Sequence, residues 1–487
     1  MTDPTLPDVA KQVVDLASAA NIAWALLCGF LVMFMQAGFA LVETGLCRKK
    51  NAAHTMGMNF LVYAIGILGF WAVGFGLQMG GVGAMATFGG DATLSEEFVL
   101  NIGGKPFGLF GMEGFFLTFA SYTPAVAAMF LFQMVFMDTT ATIPTGAMAE
   151  RWKFSSFVLF SFVISTVIYP IYANWVWGGG WLSALGKNYG FGHGHVDFAG
   201  SSVVHMTGGV AALVGAKMLG PRIGKYTRDG RANPMPGHNI PMALLGTFIL
   251  AFGWFGFNSG STLALTDSRI SIVAVNTMLA SAAGAFAAAL YVWNRYGRPD
   301  PTWLANGMLA GMVAITAPCA FVGAPASILI GAVAGVLVVV SAMFVEQKLK
   351  IDDPVGASSV HGTCGIWGIL SLGLFANGSY GDGWNGVPGS VTGLLFGDTA
   401  QFYAQCIGIA ANIVYVASMT AISLFVIGKL TGNRVSVDDE VAGLDVPEMG
   451  VLAYPDDPHT TPPPFGAGPG SRAPAMTPRT SRAPTSY

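Results

Sequence analysis

The sequence is poor in charge. Of its 487 residues only 10% are Asp, Glu, Lys or Arg, where soluble domains carry about 25%. With 53% hydrophobic residues against that deficit, the chain cannot cover a water-facing surface, which excludes an ordinary soluble protein. The formal net charge of −3 offers no basic surface to a nucleic acid. Cysteine is scarce too. Cys28, Cys47, Cys319, Cys364 and Cys406 have no metal-ligand spacing and read as small residues in or beside apolar runs. The first twenty residues set Lys11 against Asp3, Asp8 and Asp15, so no basic n-region of a cleavable leader is expected. Nucleotide loops, catalytic-triad spacing and metal clusters do not appear. Neither an enzyme nor a bound cofactor or metal is expected.

What the sequence has is glycine, 65 residues of it, and long apolar runs. Glycine in such runs suits closely packed membrane helices. Eleven runs of spanning length centre near Met33, Ile67, Phe130, Val163, Val210, Phe248, Leu279, Met312, Val336, Leu370 and Val416. Each reaches the roughly 20 residues that a bilayer requires. A short turn at Phe321–Pro325 separates the eighth from the ninth. The fold class is therefore an all-α membrane protein with eleven transmembrane helices.

Charge orients it. Arg48, Lys49, Lys50, Arg151, Lys153, Lys217, Arg222, Lys225, Arg228, Arg231, Arg295, Arg298, Lys348, Lys350, Lys429 and Arg434 all follow odd-numbered spans. Lys11, Lys105, Lys187 and Arg269 stand on the other side. The positive-inside rule then puts the N-terminus outside and the C-terminus in the cytoplasm. The chain divides into a short extracytoplasmic segment (1–20), a membrane domain (21–432), a cytoplasmic C-terminal segment (433–454) and a Pro/Ser/Thr-rich tail (455–487) expected to be disordered.

Two stretches align without a gap. Asp197–Gly209 reads DFAGSSVVHMTGG and Asp353–Gly365 reads DPVGASSVHGTCG, with seven of the thirteen positions identical. They open the fifth and tenth spans. Five spans separate them, so the copies cross in opposite directions, as an inverted 5+5 repeat with the eleventh helix appended. Such repeats place transport sites at their interface near the midplane. His205 and His361 occupy the same position in the two copies. Each lies about 12 Å into its span at 1.5 Å per residue, so both approach the middle of the hydrocarbon. Ionisable groups there are costly and mark pathways. Two imidazoles in contact can share a proton and line a path for a small hydrogen-bonding solute. Asp197 and Asp353 stand where helices begin, as N-caps or, for Asp197, as a functional group.

At this point the chain resembles the ammonium transporter family, the Amt, Mep and Rh proteins, over about Asn21 to Tyr454. The blocks that carry the resemblance are AGFALVETG with RKKN, GAMAER, WVWGGGWL, DFAGSSVVH, GWFGFNSGS and DDPVGASSVHG, in family order. The resemblance implies a homotrimer in the cytoplasmic or plasma membrane, each subunit with its own pore. It implies an outer ammonium-binding site at Trp177, Ser261 and Phe136, the last in a block headed by Phe132. A stacked gate would be formed by Phe136 and Phe257, and His205 and His361 would line the pore. Asp197 would support the outer site without touching substrate. Gly356 stands where some members carry an Asp, so no carboxylate role is expected there. VAGLDVPEMGVLAY resembles the conserved end, although Met449 stands where a His is frequent. A PII-type nitrogen-signalling protein at the cytoplasmic face is the implied partner. The function implied is ammonium uptake, with ammonia passing the twin histidines with or without its proton. The rival readings are a sensor of the same fold and an Rh-like neutral gas channel; the Trp177 and Ser261 pair favours the ammonium branch.

Overall fold

A computed structural model describes residues 5–90, 93–118 and 122–455; the Pro/Ser/Thr-rich stretch from residue 456 on lies outside them. The described chain is mainly helical: α1 Leu6–Leu46, α2 Lys49–Met79, α3 Pro124–Met148, α4 Phe154–Trp177, α5 Ser201–Leu219, α6 Ile240–Ser259, α7 Arg269–Tyr296, α8 Pro301–Ile315, α9 Ala324–Gln347, α10 (358–375) and α11 Thr399–Leu430. Nine of them are long and apolar enough to cross a membrane. Where eleven spanning helices are expected, α8 is a shorter apolar helix, because the chain turns at 316–323, and α10, whose first turns carry Ser358, Ser359, His361 and Thr363, is not among the nine.

Start signals explain the boundaries. Thr123, Asn239, Asp300 and Asp398 each accept a backbone N–H of the helix they begin, and Pro124, Pro241 and Pro301 follow within the first turn. Helix α1 reaches back to Leu6, well before the apolar run at Ile22. Thr5 and Asp8 form a reciprocal capping box there, and Pro7 sits in the first turn. Residues 6–20, set apart by the sequence as a separate segment, thus continue the first helix.

Large apolar side chains face outward. Phe248 and Phe286 are both 66% exposed, an arrangement that water would penalise and lipid would not. Inside the bundle, small residues let backbones approach. Gly284 of α7 meets Gly307 and Gly311 of α8 and Gly335 of α9. A two-stranded antiparallel hairpin, β1 Glu97–Ile102 and β2 Lys105–Gly111, connects α2 to α3.

The face carrying most basic residues is held by buried ion pairs. Arg222 donates to Asp352 from Nε (2.8 Å) and Nη2 (3.0 Å), and from Nη1 to Glu150 (2.7 Å), which also pairs with Arg48. Burial alone would raise Asp352; the hydrogen bonds and charge of Arg222, helped by Arg151, outweigh it and hold the carboxyl well below its usual range. Two short helices, α12 Val437–Ala442 and α13 Asp445–Met449, fold back onto this face. Lys50 donates to the carbonyls of Glu440 and Val441, Leu444 N–H to Asn51, His54 N–H to Asp445 and Phe154 N–H to Glu448. The Met449 methyl lies against Gly57 of α2.

Candidate functional site

Both copies of the thirteen-residue repeat fold the same way. Asp197 accepts backbone N–H bonds from Gly200, Ser201, Ser202 and Val203 and the hydroxyl of Ser202. Asp353 accepts the equivalent bonds from Gly356, Ala357 and Ser358 and the hydroxyl of Ser358. Each aspartate therefore caps its helix. The glycines shared by the copies, Gly200 and Gly356, have φ of +115° and +77°, a left-handed backbone that glycine adopts freely. Both helices then open in a wide π-helical turn, Ser201–Met206 and Ser358–Thr363. Such turns recur where side chains must be aimed at a site.

The turns bring the histidines together. Nδ1 of His205 and Nδ1 of His361 are 3.2 Å apart, with ring centroids 5.2 Å apart. One ring must donate and the other accept. The contact is made possible just below, where α5 and α10 nearly touch. A Cβ on Gly209 would stand 2.1 Å from the backbone nitrogen of Gly362.

Above His205 the aromatic residues form a column. Phe257, in the π-helical turn that ends α6, is 5.4 Å from the His205 ring. Phe136 of α3 stacks on Phe257 at 4.1 Å and 28°. Trp177, at the end of α4, stands edge-on to Phe136 at 5.9 Å and 78°, and Phe132 flanks Phe136 at 4.7 Å. Phe136, Phe257 and His205 are each 0% exposed, while Trp177 is half-buried. The Trp177 indole N–H donates to the carbonyl of Asp197 at 2.7 Å. Asp197 thus holds Trp177 through its main chain and α5 through its side chain. Ser261 is half-buried just beyond α6, its hydroxyl bonded to the Phe257 carbonyl at 2.8 Å.

Sequence reasoning passed over three residues of the column. Trp254 stacks on His205 at 5.1 Å and 20°, and its indole N–H donates to Thr316 at 3.0 Å. Phe39 lies 6.0 Å from the His361 ring. Glu43, one turn along α1 from Phe39, lines a small cavity with His361. All three sit inside recognised blocks, GWFGFNSGS and AGFALVETG, and that was the available signal.

The fold and this column define a multi-pass helical membrane protein with a polar pair enclosed in an aromatic file. The model of the Ammonium Transporter Family matches residues 23–454. The chain is 46% identical to ammonium transporter Amt2 of Archaeoglobus fulgidus, over 93% of this chain and 92% of that one. It is 37% identical to ammonium transporter Amt1 of Haloferax mediterranei, over 90% and 80%. Among solved structures it is similar to a sensor Amt protein, with a TM-score of 0.77, 33% identity, and coverage of 88% of this chain and 98% of that one. It is also similar to Mep2 of Candida albicans, with a TM-score of 0.71, 28% identity, and coverage of 91% and 92%. The chain belongs to the ammonium transporter family.

Proposed function

We propose that this protein takes ammonium up across the cytoplasmic or plasma membrane, and that the column from Trp177 to His361 is its path. The observation that carries the reading is the unbroken order of Trp177, Phe136, Phe257, His205 and His361. All eleven helices cross the bilayer as an inverted 5+5 repeat with α11 appended. The N-terminus is outside, and the basic face with its folded-back segment is cytoplasmic.

Ammonium is recruited outside by Trp177 and Phe136, with the Ser261 hydroxyl as acceptor. A ring face attracts a cation by about 0.5–2 kcal/mol. Carrying a bare cation on through apolar rings would cost tens of kcal/mol by Born reasoning. The ion therefore gives up its proton near the Phe136–Phe257 gate. Ammonia passes the gate and moves along His205 and His361, which offer it one donor and one acceptor. The assembly is a homotrimer with one path per subunit, and the cytoplasmic face receives a PII-type regulator.

A second reading is favoured by one comparison, the likeness to a chain titled a sensor Amt protein. A sensor of this fold would bind ammonium without conducting. Solid-supported-membrane electrophysiology paired with labelled methylammonium uptake on proteoliposomes separates the two. A transporter gives a current or uptake with ammonium and none with potassium. His205→Ala combined with His361→Ala abolishes it. Wild-type rate and selectivity in that double variant would sink the assigned path.

A further inference from the structure

We propose that Glu43 is the inner proton donor of the path, the group that returns a proton to ammonia once it has passed His361. This rests on the transport reading above and adds a residue to it. Below the histidines lies a cavity large enough for one water-sized molecule, lined by Phe39, Val42, Glu43, Ile143, Asn306 and His361 among others. Glu43 is the sole carboxylate of that lining and is 2% exposed. Its Oε2 accepts the Asn59 side-chain N–H at 2.7 Å, and Thr145 Oγ1 stands 2.6 Å from the same oxygen. Asn59 in turn accepts from the Thr142 hydroxyl at 2.8 Å, to which Gln36 donates at 2.9 Å. The carboxyl group is thus held in one orientation by α2 and α3, at the wall of the space into which His361 opens.

The chemistry follows from what must arrive there. Ammonia that leaves its proton outside has to regain one inside. In the cavity its lone pair meets the Glu43 carboxylic acid. The carboxyl O–H bond breaks as the new N–H bond forms, leaving ammonium and a carboxylate side by side. Apolar neighbours on the cavity wall strengthen their attraction. Ammonium then leaves toward the basic face, and hydronium from that side returns the proton to the carboxylate. A purely architectural Glu43, joining α1 to α2 and α3, needs only the shape of the side chain and an acceptor for Asn59.

Wild type, Glu43→Gln and Glu43→Asp are compared in proteoliposomes by the ammonium-evoked rise of internal pH, because ammonia that leaves its proton outside and takes one inside carries no net charge. Gln keeps the shape and the acceptor but carries no acidic proton. The expected result for Glu43→Gln is a maximal rate of alkalinisation at least about tenfold lower. Its half-saturating ammonium concentration stays within about twofold, since the outer site is untouched. Glu43→Asp, an acid one methylene shorter, falls between the two. A wild-type rate in Glu43→Gln overturns the proposal and leaves the transport reading standing. An inert wild-type protein overturns both. If Glu43→Gln does not fold, Glu43→Asp decides, and maximal rate and half-saturation both at wild-type values overturn the proposal.

Discussion

Asp197–Gly209 and Asp353–Gly365 share seven residues, and four of these act alike in both copies: an aspartate cap, a left-handed glycine, a serine hydroxyl on the cap, a histidine in a π-helical turn. The surroundings differ. His205 packs against both Trp254 and Phe257, which also touch each other, and its Nε2 has no hydrogen-bond partner among the described residues. His361 opens instead on the cavity that it lines together with Phe39 and Glu43. The first start is buried under Trp177; the second lies beside the Arg222–Asp352 pair on the basic face. The repeat therefore sets position and conformation, and the unmatched neighbours make one half a closed aromatic stack and the other an opening.

The largest expected effect separates the two caps. Asp197→Ala strands four buried backbone N–H groups and a hydroxyl, and should cost about 3 kcal/mol or more. Asp353→Ala, with fewer and only partly buried partners, should cost about 1 kcal/mol. Thermal unfolding of the purified proteins in detergent checks this, and equal losses would break the distinction. The crossing below the histidines should be just as one-sided. Gly209→Ala drives a methyl into the backbone of Gly362 and should cost roughly 2 kcal/mol. Gly362→Ala meets nothing closer than 3.4 Å and should melt close to wild type.

The smallest effect is one of pH. Asp352 is held well below its usual range in the folded protein, whereas the unfolded value is about 3.9. Its contribution is fully present above that value and is lost as pH falls below it. The melting temperature should therefore be flat between about pH 5 and 7 and fall below about pH 4. Asp352→Asn should flatten the acid limb; an acid slope as steep as in wild type would show that the second start is anchored elsewhere.

Much of this was legible in the sequence. Low charge, long apolar runs and alternating basic loops pointed to a polytopic helical protein. The gapless repeat singled out His205 and His361, because a period of apolar residues broken twice by the same polar block is rare. Phe136, Phe257, Trp177 and Ser261 came from the resemblance alone. Trp254, Phe39 and Glu43 were passed over for a physical reason. An aromatic residue on a hydrophobic helix reads the same whether it faces lipid, as Phe248 does, or a histidine, as Trp254 does. Helix α1 was underestimated because its first turns are not apolar; a capping box starts it instead. The ion pairs among Arg48, Glu150, Arg222 and Asp352 join residues up to 130 positions apart, which no local pattern announces.

By itself the sequence determined the solvent the protein lives in, its helices and the two places where polar chemistry interrupts them, because hydropathy, capping and repetition act over neighbouring residues. Only the tertiary structure decided that two histidines 156 positions apart touch at 3.2 Å, that aromatic rings close one side of the pair, and that a carboxylate waits on the other. Those are contacts between helices, set by how closely glycine lets backbones approach.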